Sequence, residues 1–347
     1  MKKKKILITG GCGFIGSSLA IFLKKKNFIV HSLDNLSRNG SQLNLKRIKK
    51  FNIRNFKIDV LNKENLFKLP KYDLLIDCSA LVEANVKINN ITKVLSTNFF
   101  GTNNLLLKCI KDNSRFFFLS TSRVYSIQEI YKFINNKKNI RKKITKKNMF
   151  IINEKFSTST PLSFYGLSKK FSEELIKEYS HSNKVKYLIN RFGVIAGPWQ
   201  FGKVEQGFFS YWIWRHLRKR KLVYKGFGGL GYQIRDILHV EDACEIIYRQ
   251  IKKFSKIHDQ TFNVGGGIKN AIDLNDMTYI SRKITKNKID IGSYKKTDSS
   301  DIPMYISDNN KVKKLYNWKP KKSILEVGYD VYDWQKKNLK LLKKYMK

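Results

Sequence analysis

Cysteine, proline, acidic residues and long apolar runs are all scarce in this 347-residue chain. The four cysteines, Cys12, Cys78, Cys109 and Cys244, form no CxxC pair and no Cys/His cluster at zinc spacing. That argues against a disulfide framework or a structural metal and fits a reducing cytoplasm. No uncharged apolar run approaches the roughly 20 residues of a membrane span. Lys2 to Lys5 followed by Ile6 to Ile8 imitates the start of a signal peptide, but three apolar residues before Thr9 and Gly10 are too few for its hydrophobic region. A soluble, cytoplasmic protein is expected. Against five prolines stand 42% hydrophobic and 13% aromatic residues, enough apolar side chain to offset chain entropy. The length suits one large α/β unit or two fused domains.

Acid is scarce relative to its opposite: 27 Asp and Glu face 69 Lys and Arg, a formal charge of +42. Such a charge points toward nucleic acid or an anionic membrane. Two features favour compositional drift instead. Thirteen arginines leave 56 lysines, accompanied by abundant Asn, Ile and Phe, the mix that A/T-rich codons produce. The lysines are also spread along the whole chain in short runs such as Lys24 to Lys26. No membrane is expected as a partner, and no nucleic acid beyond non-specific electrostatic contact. An RNA-binding protein on the same scaffold is the remote alternative.

What is present is a rhythm. Strand-like runs at Lys4 to Ile8, Ile29 to Leu33, Phe56 to Ile58, Leu74 to Cys78, Phe116 to Ser120 and Tyr187 to Asn190 alternate with amphipathic stretches such as Ile15 to Lys26 and Ser96 to Lys111. This is the βαβ pattern of an α/β, doubly wound parallel sheet. From about Gly197 the pattern loosens into a Gly- and aromatic-rich region with one helix around Phe208 to Arg218, so a second region starts near there. The Lys/Asn/Ile stretch from about Lys132 to Asn153 reads as an exposed insertion.

After the first strand, Gly10, Gly13 and Gly16 keep a G-x-x-G-x-x-G spacing before an apolar helix that opens with Phe14 and Ile15. Glycine permits the tight turn and lets the backbone approach a pyrophosphate, which then sits at the positive helix N-terminus. Asp34 closes the second strand, where a carboxylate accepts hydrogen bonds from ribose hydroxyls and repels a 2′-phosphate, favouring NAD over NADP. A plain turn at Asp34-Asn35 and, through Arg38, an NADP site stay open. Asp59 and Val60, at the end of the third strand, are placed near the adenine, though Asp59 equally suits a helix cap. In Tyr165-Gly166-Leu167-Ser168-Lys169 the i, i+4 pair puts an ammonium beside a phenol and stabilises the phenolate. Thr121, in Ser120-Thr121-Ser122-Arg123-Val124-Tyr125, brings a small hydroxyl to the carboxyl edge of the same sheet, where sites on such folds lie. Thr121 can hold a substrate hydroxyl while Tyr165 takes its proton.

These motifs in order, with Arg235-Asp236-Ile237-Leu238-His239-Val240-Glu241-Asp242 later in the chain, resemble the extended short-chain dehydrogenase/reductase superfamily of nucleotide-sugar epimerases and dehydratases. The run ITGGCGFIGSSLA, Asp34-Asn35-Leu36-Ser37, the gap between Thr121 and Tyr165 and the stretch from Gln200 to Gly207 most resemble its CDP-paratose 2-epimerase (CDP-tyvelose epimerase) branch. The resemblance implies an isomerase with tightly bound NAD. It implies a Rossmann domain over residues 1–190, with a returning segment near 235–265, and a smaller mixed α/β domain over 191–347 that holds a CDP- or UDP-linked sugar. It implies Thr121, Tyr165 and Lys169 as catalytic residues, with NAD contacts at Gly10, Gly13, Phe14, Ile15, Gly16, Asp34, Asn35, Asp59, Val60, Ser79, Ala80, Tyr165 and Lys169. Substrate contacts are implied at Thr121, Gln206 and Arg235, the last to the diphosphate. It also implies a homodimer through helices near Ser96 to Lys111 and Tyr165 to Tyr179.

From the residues alone, a structural ion pair of Arg235 with Asp236 or Glu241 stays open. His239 and Asp242 are expected to shape a turn and cap the following helix. Two departures from the family pattern stand out. Asp77 occupies a position where a neutral histidine ring is common, and Ser122-Arg123 replaces the Asp-Glu pair of sugar-nucleotide 4,6-dehydratases, which disfavours water elimination. A UDP-sugar 4-epimerase or a decarboxylase of the same superfamily is the alternative.

Overall fold

The computed structural model describes residues 3–82, 86–135, 150–202 and 206–346. Its central sheet has seven strands: β1 (Lys5–Thr9), β2 (Ile29–Leu33), β3 (Arg54–Phe56), β4 (Leu74–Asp77), β5 (Arg115–Thr121), β6 (Tyr187–Phe192) and β10 (Gln260–Val264), in the order β10-β6-β5-β4-β1-β2-β3. The chain runs outward from β1 to β3, then restarts on the other side of β1 with β4, so the order reverses between β1 and β4. Loops diverge there and leave a crevice at the carboxyl ends of the two strands. The α/β doubly wound fold expected from the rhythm is therefore present. Continuous apolar runs such as Ile6 to Ile8 and Leu74 to Ile76 are almost wholly buried, as strands covered on both faces must be.

By compactness the chain divides into two units, one of Met1–Thr121, Phe164–Arg191 and Cys244–Phe262, the other of Ser122–Ser163, Phe192–Ala243 and Asn263–Lys347. Beside the expected division, residues 1–190 with a returning segment near 235–265, these bounds return Cys244–Phe262 to the first unit and move Ser122–Ser163 out of it. The stretch after β5 leaves the first unit, because Val124, Tyr125, Ile127 and Ile130 pack with Tyr305 and Ile306 in a core of the second. The first unit holds α1 (Phe14–Lys25), α2 (Ser41–Lys49), α3 (Lys63–Phe67), α4 (Ile91–Leu95), α5 (Gly101–Asp112) and α7 (Phe164–Asn183) around a core that includes Leu7, Leu75, Leu105, Phe116, Phe118 and Ile176.

In the second unit lie α6 (Ile127–Asn135), β7 (Val194–Ala196), α8 (Phe208–Leu217), β8 (Leu222–Lys225), β9 (Ile234–His239), α10 (Leu274–Thr285), β12 (Ile291–Tyr294), β13 (Met304–Tyr305) and α12 (Ile324–Lys337). Strand β9 pairs in parallel with β7 and β13, and β8 with β12. Helix α12 starts at a capping box in which Ser323 and Glu326 satisfy each other's backbone N–H groups.

Three local expectations need correction. Strand β3 spans Arg54–Phe56 rather than Phe56 to Ile58, because its register on β2 pairs His31 with Arg54 and Leu33 with Phe56; Asp59 thus lies in the turn beyond the strand. The helix expected over Ser96 to Lys111 contains a π turn at Ser96–Phe100. There the Asn98 carbonyl accepts from the Thr102 and Ser172 hydroxyls, at 2.8 and 3.0 Å, the kind of side-chain insertion that accompanies π-bulges. The Lys132 to Asn153 stretch is not simply an exposed insertion. It opens inside α6, where Ile134 is buried, and closes on buried Ile152, which bridges to Ser307; residues 136–149 lie outside the described residues.

Candidate active site

The glycine loop occupies the crevice between β1 and β4. Gly10 has φ +59°, and a Cβ there would lie 2.7 Å from the Cys78 carbonyl oxygen, so both the conformation and the space demand glycine. A Cβ on Gly16 would lie 2.2 Å from the Gly10 oxygen. Gly13 caps α1 without any side-chain hydrogen bond, which leaves the first-turn amides of Phe14, Ile15 and Gly16 facing the loop at the positive end of the helix.

Asp34 is oriented by backbone, accepting from Cys12 N at 3.0 Å and Leu36 N at 2.8 Å. Burial pushes its carboxyl upward, while these two N–H groups and Arg38 pull it back. Desolvation lowers the Arg38 guanidinium and the opposing influences are Tyr165 and Asp34, so one arginine senses both the Asp34 carboxylate and the phenol. Asn35 donates to Asp59 at 2.7 Å, and Asp59 also accepts from Leu61 N at 2.9 Å. Val60 is buried under Gly101, whose Cβ would come within 2.7 Å of Val60 Cγ2. A cradle that a Cβ would fill, uncapped helix amides and an anchored carboxylate fit a dinucleotide without a 2′-phosphate.

Thr121 ends β5 at the carboxyl edge of the sheet. Helix α7 ends at Asn183 just before β6 begins, so it runs back along the sheet and its first turn, with Tyr165, lies at that same edge. Tyr165, Lys169 and Glu173 follow at i, i+4 and i+8 and share a face; all three are buried, Tyr165 at 8% and Lys169 at 1% exposure. Glu173 fixes the helix to the sheet by accepting from the Ser120 hydroxyl at 2.5 Å and from Arg191 Nε and Nη2 at 3.0 and 2.6 Å. The neighbour of the predicted hydroxyl therefore sets the helix register.

Lys169 Nζ lies 3.9 Å over the Phe118 ring. Burial pulls its ammonium below the ordinary lysine value, and Asp77, Cys78 and Glu173 oppose that pull. Ser79 turns inward, its N–H and hydroxyl both donating to Asp77, so its hydroxyl oxygen and the neighbouring Ala80 are what this loop can present to a cofactor.

The first unit thus contains the glycine loop, Asp34, Asn35, Asp59, Val60, Ser79, Ala80, Thr121, Tyr165 and Lys169, whereas Gln206 and Arg235 belong to the second. Gln206 precedes Gly207, the left-handed N-cap of α8. Arg235, on β9, donates to Asp301 at 3.0 Å and to the Ile302 carbonyl at 2.8 Å. Its ion-pair partner is Asp301, not Asp236 or Glu241, because Asp236 turns to the amides of Gly267 and Ser307. His239 shapes its turn by accepting from Glu241 N at 3.2 Å. Asp242 does not cap its own helix; it accepts from the backbone N–H groups of Lys321 and Lys322.

Sequence reasoning missed Glu173, Arg191 and Asn98. The first carried a signal, an acid four residues beyond Lys169 on the inward face of α7. Asn98, which bonds both backbone groups of Leu81 and the Ser168 hydroxyl, had none, since only the π turn brings it there.

Residues 6–265 match the model of the NAD dependent epimerase/dehydratase family. The chain is 29% identical to the CDP-paratose 2-epimerase of Salmonella typhi, over 95% of this chain and 98% of that protein. It is 27% identical to the UDP-glucuronate 4-epimerase of Thermodesulfobacterium geofontis, over 97% and 98%. Among solved structures, the UDP-glucose 4-epimerase of Thermotoga maritima with UDP-glucose superposes with a TM-score of 0.80 at 24% identity, covering 96% of this chain and 99% of that one, a likeness that shows the fold. NAD is the cofactor by which the family is described, and the cradle around Gly10 and Asp34 fits it.

Proposed function

The chain belongs to the NAD dependent epimerase/dehydratase family, and from that premise we propose that it is a nucleotide-sugar epimerase acting through transient oxidation, with a CDP-linked sugar epimerised at C2 as its reaction. The observation that carries this reading is a fully buried lysine one helical turn from a tyrosine, at the sheet edge where β5 delivers Thr121. Burying a lysine is costly unless its charge is used. Bound NAD supplies a hydride acceptor that returns the hydride. Thr121 orients the reacting sugar hydroxyl, Tyr165 as phenolate removes its proton, and the Lys169 ammonium stabilises that phenolate. The planar ketone then offers its other face, and Tyr165 returns the proton to the inverted alcohol. The first unit, in this reading, holds NAD and the second the nucleotide sugar, with Gln206 and Arg235 as its contacts.

The choice of CDP and C2 rests on the Salmonella relative and on the loops that resemble that branch. Against water elimination stands Arg123, which donates to the Ser300 carbonyl at 2.9 Å where a dehydratase would carry an acid. The alternative, a UDP-sugar 4-epimerase, is supported by the second relative. A homodimer is part of the proposal: Phe100 and Phe171 are 56% and 47% exposed, and Phe99, Phe171 and Leu175 line a surface groove between α7 and the π turn, apolar area that a second copy would cover. A cytoplasmic setting is part of the same reading, supported by four cysteines that form no disulfide.

The test is incubation of the purified protein, without added cofactor, with a panel of CDP- and UDP-linked sugars, followed by NMR. A C2 epimer of a CDP-sugar is expected, with a rate lowered about 10²- to 10⁴-fold in Tyr165→Phe. Turnover of UDP-sugars alone, inverted at C4, replaces this reading with the alternative, and no turnover across the panel removes both.

A further inference from the structure

Two buried carboxylates act electrostatically on the Lys169 ammonium, and they differ in what already holds them. Glu173 has a counter-charge of its own, since Arg191 grips both of its oxygens. Asp77, 1% exposed at the end of β4, is held by neutral groups: Thr9 Oγ1 at 2.7 Å from β1, Ser79 N at 3.0 Å and Ser79 Oγ at 2.5 Å from its own loop, and, sharing its proton with the Asn98 carbonyl, Thr102 Oγ1 at 3.0 Å from α5. Such neutral donors cancel no charge. The strand register pairs Asp77 with Phe118, and Lys169 Nζ lies over the Phe118 ring, which sets the ammonium above the strand pair that Asp77 ends. Further titratable groups near the lysine are Tyr165, on the same face of α7, and the Cys78 thiol, held protonated by burial and by Asp77.

We propose that Asp77 is a positioning residue for Lys169, the through-space counter-charge that keeps this lysine protonated and seated against Phe118. The two do not form a contact ion pair; their attraction acts across the low-dielectric interior, where charges several ångströms apart still interact strongly. Consistent with this, Asp77 is the first of the groups that oppose the loss of the Lys169 proton on burial. The histidine that the family pattern leads one to expect at this position would supply no such charge when neutral. The inference deepens the site reading above and rests on it for the role of Lys169, but its test needs no substrate, so failure of the pairing and failure of the epimerase reading are separate results.

The experiment is thermal unfolding of the full chain across pH, comparing wild type with Asp77→Asn, Lys169→Met and the double variant. Asp77→Asn keeps the shape and removes the charge. A lysine whose folded pKa is depressed is destabilising wherever it is protonated in the unfolded chain, and that cost fades as pH rises toward the unfolded value near 10.4. The Asp77→Asn deficit is therefore expected to be about 10 °C at pH 7, to shrink by more than half by about pH 10.5, and to be much smaller in the Lys169→Met background. Should Asp77→Asn fail to fold, the double variant decides: with no ammonium left uncompensated, it must fold and melt close to Lys169→Met. A deficit that is flat with pH and additive with Lys169→Met, or a double variant that also fails to fold, would overturn the proposal in favour of a purely hydrogen-bonding role.

Discussion

The charged groups around Thr121 and those around Arg235 are built differently. In the first unit Glu173, Arg191 and Lys169 are buried, and Glu173 ties a helix to a strand through Ser120 and Arg191. In the second, Arg235 meets Asp301 on a loop where the carboxylate side chain is 29% exposed, and Arg123 approaches the same carboxylate at 3.6 Å. The first arrangement fixes geometry and offers little room for adjustment. The second keeps two guanidiniums beside one partly solvated carboxylate, an arrangement in which an incoming diphosphate can compete for the same donors. In the proposed reading, chemistry that needs fixed distances and recognition that must admit and release a ligand would thus have different degrees of burial.

The sharpest way to break this contrast is Glu173→Ala. It removes one partner of a buried pair and takes from the Arg191 guanidinium the carboxylate it grips, which costs about 3–5 kcal/mol. A fall in melting temperature of roughly 10 °C is expected, and turnover should drop with it because α7 loses its anchor beside Thr121. If melting were unchanged, the buried network would not be what fixes the helix.

A smaller effect, of another kind, is expected of Arg235→Lys. Lysine keeps the charge but not the forked donors that reach Asp301 and the Ile302 carbonyl together. KM for the nucleotide sugar should rise about 10-fold, the equivalent of one lost charge-assisted hydrogen bond, with kcat and melting temperature nearly unchanged. A fall in kcat at constant KM would instead assign Arg235 to the chemical half of the site.

The two regions were also unequally legible. The parallel sheet, the glycine loop and the Tyr165/Lys169 pair could be read from sequence because each rests on a local pattern: short apolar runs for the strands, three residues between glycines, four along a helix. The exchange of the segment after β5 into the second unit could not, since it depends on Val124, Tyr125 and Ile130 meeting Tyr305 and Ile306, more than 170 residues away in sequence. The partner of Arg235 was misjudged for the same reason. Nearby acids were the candidates, but the backbone amides of Gly267 and Ser307 claim Asp236 and leave the arginine to a distant loop. Asp77 was noticed as a departure from pattern; its meaning required the strand register that sets it beside Phe118.

The smallest expected effect serves as the control for the contrast. Ser323 caps α12, accepting from Glu326 N while Glu326 returns a bond to Ser323 N at 2.7 Å. Ser323→Ala removes a hydroxyl from an exposed helix start and should cost about 1 kcal/mol, a drop in melting temperature of about 2–4 °C. The Glu326 carboxyl, held below its usual range first by its hydrogen bonds to Ser323, loses one of those bonds, so the part of the deficit that depends on it must disappear on acidification through the carboxylate range. KM and kcat should not move, because stability lost at an exposed cap reaches neither the buried helix anchor nor the Arg235 loop. A change in KM as large as that of Arg235→Lys would mean that second-unit stability and sugar recognition are one property, and the division drawn between the two regions would fail.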